Sequence, residues 1–186
     1  MTIGLIDEAP NDTDAIKNIL VKQYKDVRFI SLLQPIRGSQ LDSQKMIDDL
    51  HIEYAFQKPD LVIFIRDLDH TSLRSEKFKQ RNKTFEKVNK VVDRKGIFLL
   101  HIYEIEALIL TGIDIFNKMY NTNIVIDKDV STYEEPKELL KNESYKYNES
   151  QNAEILNKIP IKTLINNCKY FSEFITKLEA KILEFE

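Results

Sequence analysis

The sequence predicts an α/β fold in which a parallel sheet of about four strands is flanked by helices. Short apolar runs of strand length alternate with longer stretches whose apolar residues recur every three or four positions, as on one face of a helix. The clearest run, residues 61–65, is continuously apolar and follows Pro59 after one residue. Such a run is typical of a strand that is buried on both faces of a parallel sheet.

The first half of the chain supplies three strands and two helices. The first strand is predicted at residues 2–6 and ends at Asp7 and Glu8. A turn rich in capping residues follows, and then a helix marked by apolar residues between 15 and 20. The second strand falls within 26–33, and a second helix is predicted from about 42 to 56. The apolar run described above is the third strand.

The next part completes the alternating pattern. Residues 71–94 are highly charged and predicted to be helical in their second half, and 97–102 form the fourth strand. A helix follows at 103–110, which gives four successive strand–helix units and implies right-handed crossovers between parallel strands. Another helix is predicted at 113–120, with a short edge strand at 124–126.

The last third changes character. Residues 127–152 are polar and rich in Lys and Glu, with a helix-like stretch at 136–140. Closing helices are predicted at about 161–168 and 172–184. We interpret residues 1–126 as an α/β domain and 127–186 as a helical extension packed on the same domain.

Composition excludes several classes of protein. Of the 186 residues, 42% are hydrophobic and 31% charged, which is typical of a globular domain. The single cysteine excludes a disulfide framework and a cysteine-based zinc site. No apolar run approaches the roughly 20 residues that cross a bilayer, and no leader is visible, so a cytoplasmic protein without a membrane partner is expected.

The charge balance and glycine content bear on possible ligands. The net charge of −3 argues against a protein that binds nucleic acid by charge alone. Only four glycines are present, and none forms a phosphate-binding loop of Walker or dinucleotide type. An enzyme that meets phosphate through divalent metal ions remains compatible with both observations.

Carboxylates follow the predicted strands. Asp67 and Asp69 come just after the third strand, and strand alternation would put both side chains on one side. If the sheet has the order 2-1-3-4, Glu8 lies beside this pair, with Glu104 and Glu106 on the other side. Like charges this close are costly unless a cation compensates them, and oxygen ligands without cysteine favour Mg²⁺ or Mn²⁺. Two such ions could catalyse phosphodiester cleavage.

The order of these motifs resembles the Toprim domain that topoisomerases, primases and the overcoming-lysogenisation-defect (OLD) nucleases share. The family pattern Glu-Gly-x-x-Asp corresponds to residues 8–12, with Ala9 in place of Gly, and Asp-x-Asp corresponds to residues 67–69. Residues 104–108 are also similar to a Glu-x-Glu-Ala stretch of small standalone Toprim-like bacterial proteins. The resemblance covers about residues 1–110, and the similarity of the tail is weaker.

The resemblance implies that Glu8 and Asp12 serve one metal ion and that Asp67 and Asp69 hold or share a second, with Glu8 also available for acid–base chemistry. It implies a metal-dependent nuclease, with DNA favoured over RNA as substrate. Proteins of this sort are often the nuclease part of a bacterial defence system beside an ATPase partner.

Other interpretations stay open from sequence. Asp12 is also suited to cap the first helix, and Glu104 or Glu106 could simply be exposed or ion-paired. Arg66 could contact phosphate or pair with an aspartate, and Lys146, between two tyrosines, could contact substrate or lie on a solvated basic face. Two alternative functions remain, namely a receiver-like domain whose Asp67 accepts a phosphoryl group and a non-catalytic adaptor.

Overall fold

The computed structural model describes residues 1–7, 10–33 and 40–185, apart from the side chains of Pro10 and Asn11. Its strands are β1 (Thr2–Ile6), β2 (Arg28–Ser31), β3 (Leu61–Asp67) and β4 (Gly96–His101). They form one parallel sheet in the order β2-β1-β3-β4. The predicted fold class and the expected position of β1 beside β3 are both confirmed.

Helices connect and cover these strands. They are α1 (Pro10–Gln23), α2 (Gln44–Gln57), α3 (Glu76–Val91), α4 (Glu106–Thr111), α5 (Ile113–Tyr120), α6 (Pro136–Glu143), α7 (Asn152–Lys158), α8 (Ile161–Asn167) and α9 (Lys169–Leu183). The starts of α2 and α3 have a clear local cause, because the hydroxyls of Ser43 and Ser75 accept hydrogen bonds from the backbone three residues on.

Each face of the sheet has its own hydrophobic core. On one face, the odd-numbered residues of β1 and β3 pack with α1, α4 and the C-terminal helices in the larger cluster. On the other face, Ile6, Val62 and Phe64 pack with α2 and the end of α3. Every residue of β3 before Asp67 is buried, as expected for the central strand between two helical layers.

The predicted edge strand at 124–126 is wrong. Within the described residues this segment pairs with no strand, and the side chain of Val125 is 80% exposed. The side chain of Asn117 provides the reason, since its amide donates to the carbonyl of Ile124 and its oxygen accepts from the N–H of Ile124. These bonds satisfy the backbone groups that a sheet ladder would otherwise bind.

The C-terminal extension joins the larger core. Leu140, Ile155, Phe171 and Leu178 pack in the same cluster as the strands, and α7, which the sequence pattern did not predict, lies against α1. Helix α9 begins at Lys169, three residues before its predicted start, and packs on β4. The domain boundary at residue 126 stays a prediction, but the core runs continuously across it. No helix of the described chain is both long and apolar enough to cross a membrane.

Candidate functional site at the carboxyl edge of the sheet

The carboxyl ends of β1, β3 and β4 meet at one edge of the sheet. Ile6 is paired in register with Phe64, and Asp67 with His101. The odd-numbered residues of the three strands face the larger core, so alternation puts the next odd residues, Asp7, Asp67 and His101, on that same face. Asp7 is 2% exposed and His101 1%, whereas Asp67 is half-buried. This edge is the usual place for a ligand in an open parallel sheet.

Two predicted ligands come from the start of the chain. Glu8 lies outside the described residues, so its predicted place beside Asp67 stays a prediction. Asp12 is half-buried in the first turn of α1. That position is inside the helix rather than at its cap, and there a carboxylate is stabilised by the positive end of the helix dipole.

The two aspartates after β3 do not continue one extended strand. The strand ends at Asp67, and Asp69 has a left-handed backbone with φ of 50°. The carboxylate of Asp69 binds the guanidinium of Arg81 at 3.2 Å and lies 3.6 Å from the ammonium of Lys77. The strand alternation on which we based a shared metal site therefore stops before Asp69, and cations of α3 already balance its charge.

Arg81 also ties this loop to a buried ion-pair network. Its guanidinium donates to the carbonyl of Asp67 at 3.1 Å and binds the carboxylate of Asp42 at 2.7 Å. The same carboxylate lies 3.3 Å from Arg66 and accepts a hydrogen bond from Thr84. The side chain of Arg66 is only 2% exposed. In this conformation Arg66 supports the loop from beneath and cannot contact a phosphate in solvent.

The C-terminal extension holds the two glutamates that follow β4. Glu104 accepts a hydrogen bond from the backbone N–H of Lys137 at 2.8 Å and lies 3.4 Å from the ammonium of that residue. Glu106 is 3% exposed and accepts bonds from Asn152 and Tyr147. Burial raises the pKa of Glu106 above its usual range, while the bond from Asn152 opposes that shift. Both glutamates are thus inside the protein rather than in solvent.

His101 is a buried polar residue at the end of β4. Its ring meets Tyr170 edge-on at 5.9 Å, and neither ring nitrogen has a hydrogen-bond partner among the described residues. Burial lowers the pKa of His101 to about 3, so the ring is neutral at physiological pH. Burial also raises the pKa of the Tyr170 hydroxyl, with smaller contributions from nearby Cys168, Asp67 and Glu106. These side chains make a polar zone beneath α9 at the end of β3 and β4.

The remaining predicted substrate contact, Lys146, is on the surface. Its ammonium lies 5.8 Å from the ring centre of Tyr145, which is 92% exposed. Tyr147, in contrast, is 4% exposed and packs in the core, so it cannot stack on a base. Only one of the two flanking tyrosines is available for such a contact.

The described residues do not assemble a metal centre by themselves. Among them, no group of three or more His, Cys, Asp or Glu side chains is close enough to hold an ion. The six predicted ligands therefore do not form one described group, since Asp69, Glu104 and Glu106 are held by other partners. A smaller centre built from Glu8, Asp12 and Asp67 would depend on Glu8.

Sequence reasoning missed several residues of this edge. The alternation of side chains along β1 was a signal that could have placed Asp7 on the same face as Asp67. No sequence signal connects Asp42 and Arg81 to Asp69, because helices far along the chain bring them together.

Comparisons with models of known protein families, with curated proteins and with solved structures found no match to this chain.

Proposed function

We propose that this protein is a metal-dependent phosphodiesterase, a Toprim-type nuclease that acts on nucleic acid, with DNA favoured over RNA. One observation carries the proposal, namely that β1 and β3 are parallel neighbours that end at the same edge of the sheet, with Asp67 at the end of β3. Along the sequence, the motifs that resemble the Toprim domain come after β1 and at the end of β3. An ATPase partner and a role in bacterial defence belong to the same proposal.

The residues that would hold a divalent ion are Glu8, Asp12 and Asp67. Their oxygen ligands suit Mg²⁺ or Mn²⁺, which would activate a water molecule and stabilise the leaving oxygen. Asp69, Glu104 and Glu106 fit a supporting role better, because Arg81, Lys137 and Asn152 hold their carboxylates. In that role they position the loop after β3 and the start of α4 around the reacting phosphate.

The experiment measures cleavage of plasmid, single-stranded DNA and RNA with Mg²⁺ or Mn²⁺. Asp67→Asn and Glu8→Gln are expected to lower the rate by about a hundredfold or more, the size typical for loss of one group that stabilises transition-state charge. Asp49→Asn is the matched control, since Asp49 is an exposed residue of α2. Wild-type activity in Asp67→Asn would exclude the proposed site.

A non-catalytic adaptor is the second candidate. It is favoured by the internal pairing of Asp69 with Arg81 and of Glu104 with Lys137, which leaves less charge for metal ions. An adaptor would cleave none of the substrates with either metal, and Mn²⁺ titration followed by calorimetry would give no heat that depends on Asp67. The receiver-like alternative lacks support, because the sheet of the described residues has no fifth strand to present Lys128.

A further inference from the structure

The segment that contains α3 is strongly basic, although the protein as a whole is acidic. Residues 71–95 hold nine Lys and Arg residues against three Asp and Glu residues. This segment therefore carries a charge of +6, whereas the whole chain carries −3, so the other residues together carry −9. A charge separation of this size along one chain favours a surface that attracts a polyanion.

Four lysines of α3 form a stripe on its outer face. They are Lys79, Lys83, Lys87 and Lys90, and all four are exposed. With 3.6 residues per turn they fall within about 80° of one another around the helix, and they extend over about 16 Å along its axis. Val88, which is buried in the smaller core, lies about 140° around the helix from the middle of this lysine stripe.

The charges of the lysine stripe are largely unpaired within the protein. Lys79 pairs with Glu76 at 2.6 Å, but both side chains are well exposed, and such pairs are weak. Among the described residues, no carboxylate lies within 4.0 Å of the ammonium groups of the other three lysines, not even that of Glu86 on the same face. Three adjacent positive charges are therefore available to an external ligand.

Cations continue from the lysine stripe to the candidate site. Lys77, in the first turn of α3, lies 3.6 Å from the carboxylate of Asp69, and the stripe begins two residues later, about 3 Å further along the helix axis. Arg74, in the loop before the helix, is exposed and has no ion pair among the described residues. A polyanion that lies along the stripe is thus led to the edge of the sheet that carries Asp67.

The form of the lysine stripe favours a nucleic-acid duplex over a single strand. Proteins that bind single strands combine cations with aromatic side chains on which the bases stack. Within α3, which the structure describes in full, no exposed residue is aromatic, because both phenylalanines are half-buried. A straight row of lysines about 4.5–6 Å apart instead suits contact with the phosphates of one backbone, without contact to base edges.

We propose, resting on the nuclease function proposed above, that the lysine stripe binds the phosphate backbone of double-stranded DNA and directs it to the carboxyl edge of the sheet. Lys83, Lys87 and Lys90 make contacts that do not depend on base sequence, and each contact releases counterions from the duplex. These contacts need no divalent ion, whereas cleavage at Asp67 does. Binding and cleavage can therefore be measured separately.

Fluorescence anisotropy of a short labelled DNA duplex in EDTA tests the proposal, because chelation prevents cleavage and leaves the direct contacts. The wild-type chain is expected to bind, with an association constant that falls steeply as salt concentration rises. The triple change Lys83→Gln, Lys87→Gln and Lys90→Gln should raise the dissociation constant at low salt by about tenfold or more. It should also reduce the logarithmic salt slope by about 2–3, since each phosphate contact contributes about 0.9.

The matched control changes three other exposed lysines, Lys25→Gln, Lys118→Gln and Lys162→Gln, and so alters the net charge equally. These residues belong to, or follow, helices that pack in the larger core, on the other face of the sheet from α3. Screening by salt limits their effect on a ligand at the stripe, so the dissociation constant should stay within about threefold of wild type. Circular dichroism checks that both triple variants are folded.

Several results would overturn the proposal. They are a wild-type chain that does not bind the duplex in EDTA, a stripe variant that binds as tightly as the control variant, and tighter binding of single-stranded DNA than of the duplex. Equally strong binding to vesicles that contain phosphatidylserine, lost in the stripe variant, would identify a membrane surface instead and would also overturn it.

Failure of the stripe and failure of the nuclease give different results. Duplex binding that depends on the lysine stripe, in a chain that cleaves no substrate with either metal, would support the stripe and refute only the nuclease. Cleavage that is lost in Asp67→Asn but unchanged in the stripe variant, together with duplex binding unchanged in the stripe variant, would refute the stripe and leave the nuclease standing.

Discussion

The buried ion-pair network beneath the candidate site gives the most demanding test of the structure. Asp42 binds Arg81 at 2.7 Å, Arg66 at 3.3 Å and the hydroxyl of Thr84 at 2.8 Å. Its side chain is 23% exposed, and those of Arg66 and Arg81 are 2% and 13% exposed. Asp42→Ala removes the carboxylate that both guanidinium groups share. Breaking one partner of a buried pair costs roughly 3–5 kcal/mol.

The loss of unfolding free energy that we expect for Asp42→Ala lies at the low end of this range of 3–5 kcal/mol. Partial exposure of Asp42 weakens its interactions, and Arg81 keeps its pairing with Asp69, so we expect the free energy of unfolding to fall by about 3 kcal/mol. For a slope of about 2 kcal/mol per molar urea, the unfolding midpoint would move down by about 1.5 M. Urea titration followed by circular dichroism measures this shift.

Two further variants make the result interpretable. Asp42→Asn keeps an oxygen that can accept a hydrogen bond from Thr84, so this variant should lose less unfolding free energy than Asp42→Ala, about 1–2 kcal/mol. Asp49→Ala, on the exposed face of α2, should change stability by no more than about 0.5 kcal/mol. If Asp42→Ala behaved like Asp49→Ala, the network would contribute no stability and our account of how the loop after β3 is held would be wrong.

Three other predictions follow from single features. Burial lowers the pKa of His101 to about 3, so its contribution to stability is complete above its unfolded pKa near 6.5 and is lost as pH falls from there toward 3. In a chelating buffer, His101→Gln should therefore remove about 2 kcal/mol of the decrease in unfolding free energy between pH 7 and pH 5. An unchanged dependence of unfolding free energy on pH would contradict this. Glu104→Ala removes the acceptor for the backbone of Lys137 and should speed amide exchange in α6, whereas Glu104→Gln, which keeps an acceptor oxygen, should not. Gly4→Ala would put a methyl group 2.6 Å from a methyl carbon of Leu32 and should lower the free energy of unfolding by about 1–3 kcal/mol. This cost should be smaller when Gly4→Ala is made in a Leu32→Ala background, because the contacting methyl group is then absent.

The strands were predictable because their signal is local. Continuous apolar runs such as residues 61–65 can satisfy their packing only between two helical layers, and the alternating order of strands and helices then restricts the topology. The wrong strand at 124–126 shows the limit of this reasoning. Its apolar residues fit a strand, but the side chain of Asn117 binds the backbone there, and nothing in the local pattern reveals that contact.

The candidate site was only partly predictable for the same reason. Sequence order indicated that the ends of β1 and β3 meet, and the register of Ile6 with Phe64 confirms it. It did not indicate that Asp69 turns out of the strand with φ of 50° or that Arg81 neutralises it. Charge compensation depends on side chains that are distant along the chain, and one sequence carries no record of those distances.

The order in which the two sheet faces are covered has a consequence for synthesis on the ribosome. All four strands are complete by His101, and α2 and α3 can cover one face by then. On the other face only α1 is present by then, and the rest of its cover comes from residues between Ile105 and Leu178. A nascent chain of about a hundred residues would therefore present a partly covered apolar sheet face, and such surfaces promote aggregation. Chaperone engagement of this chain should accordingly peak before α7 emerges and end soon after α9 is released.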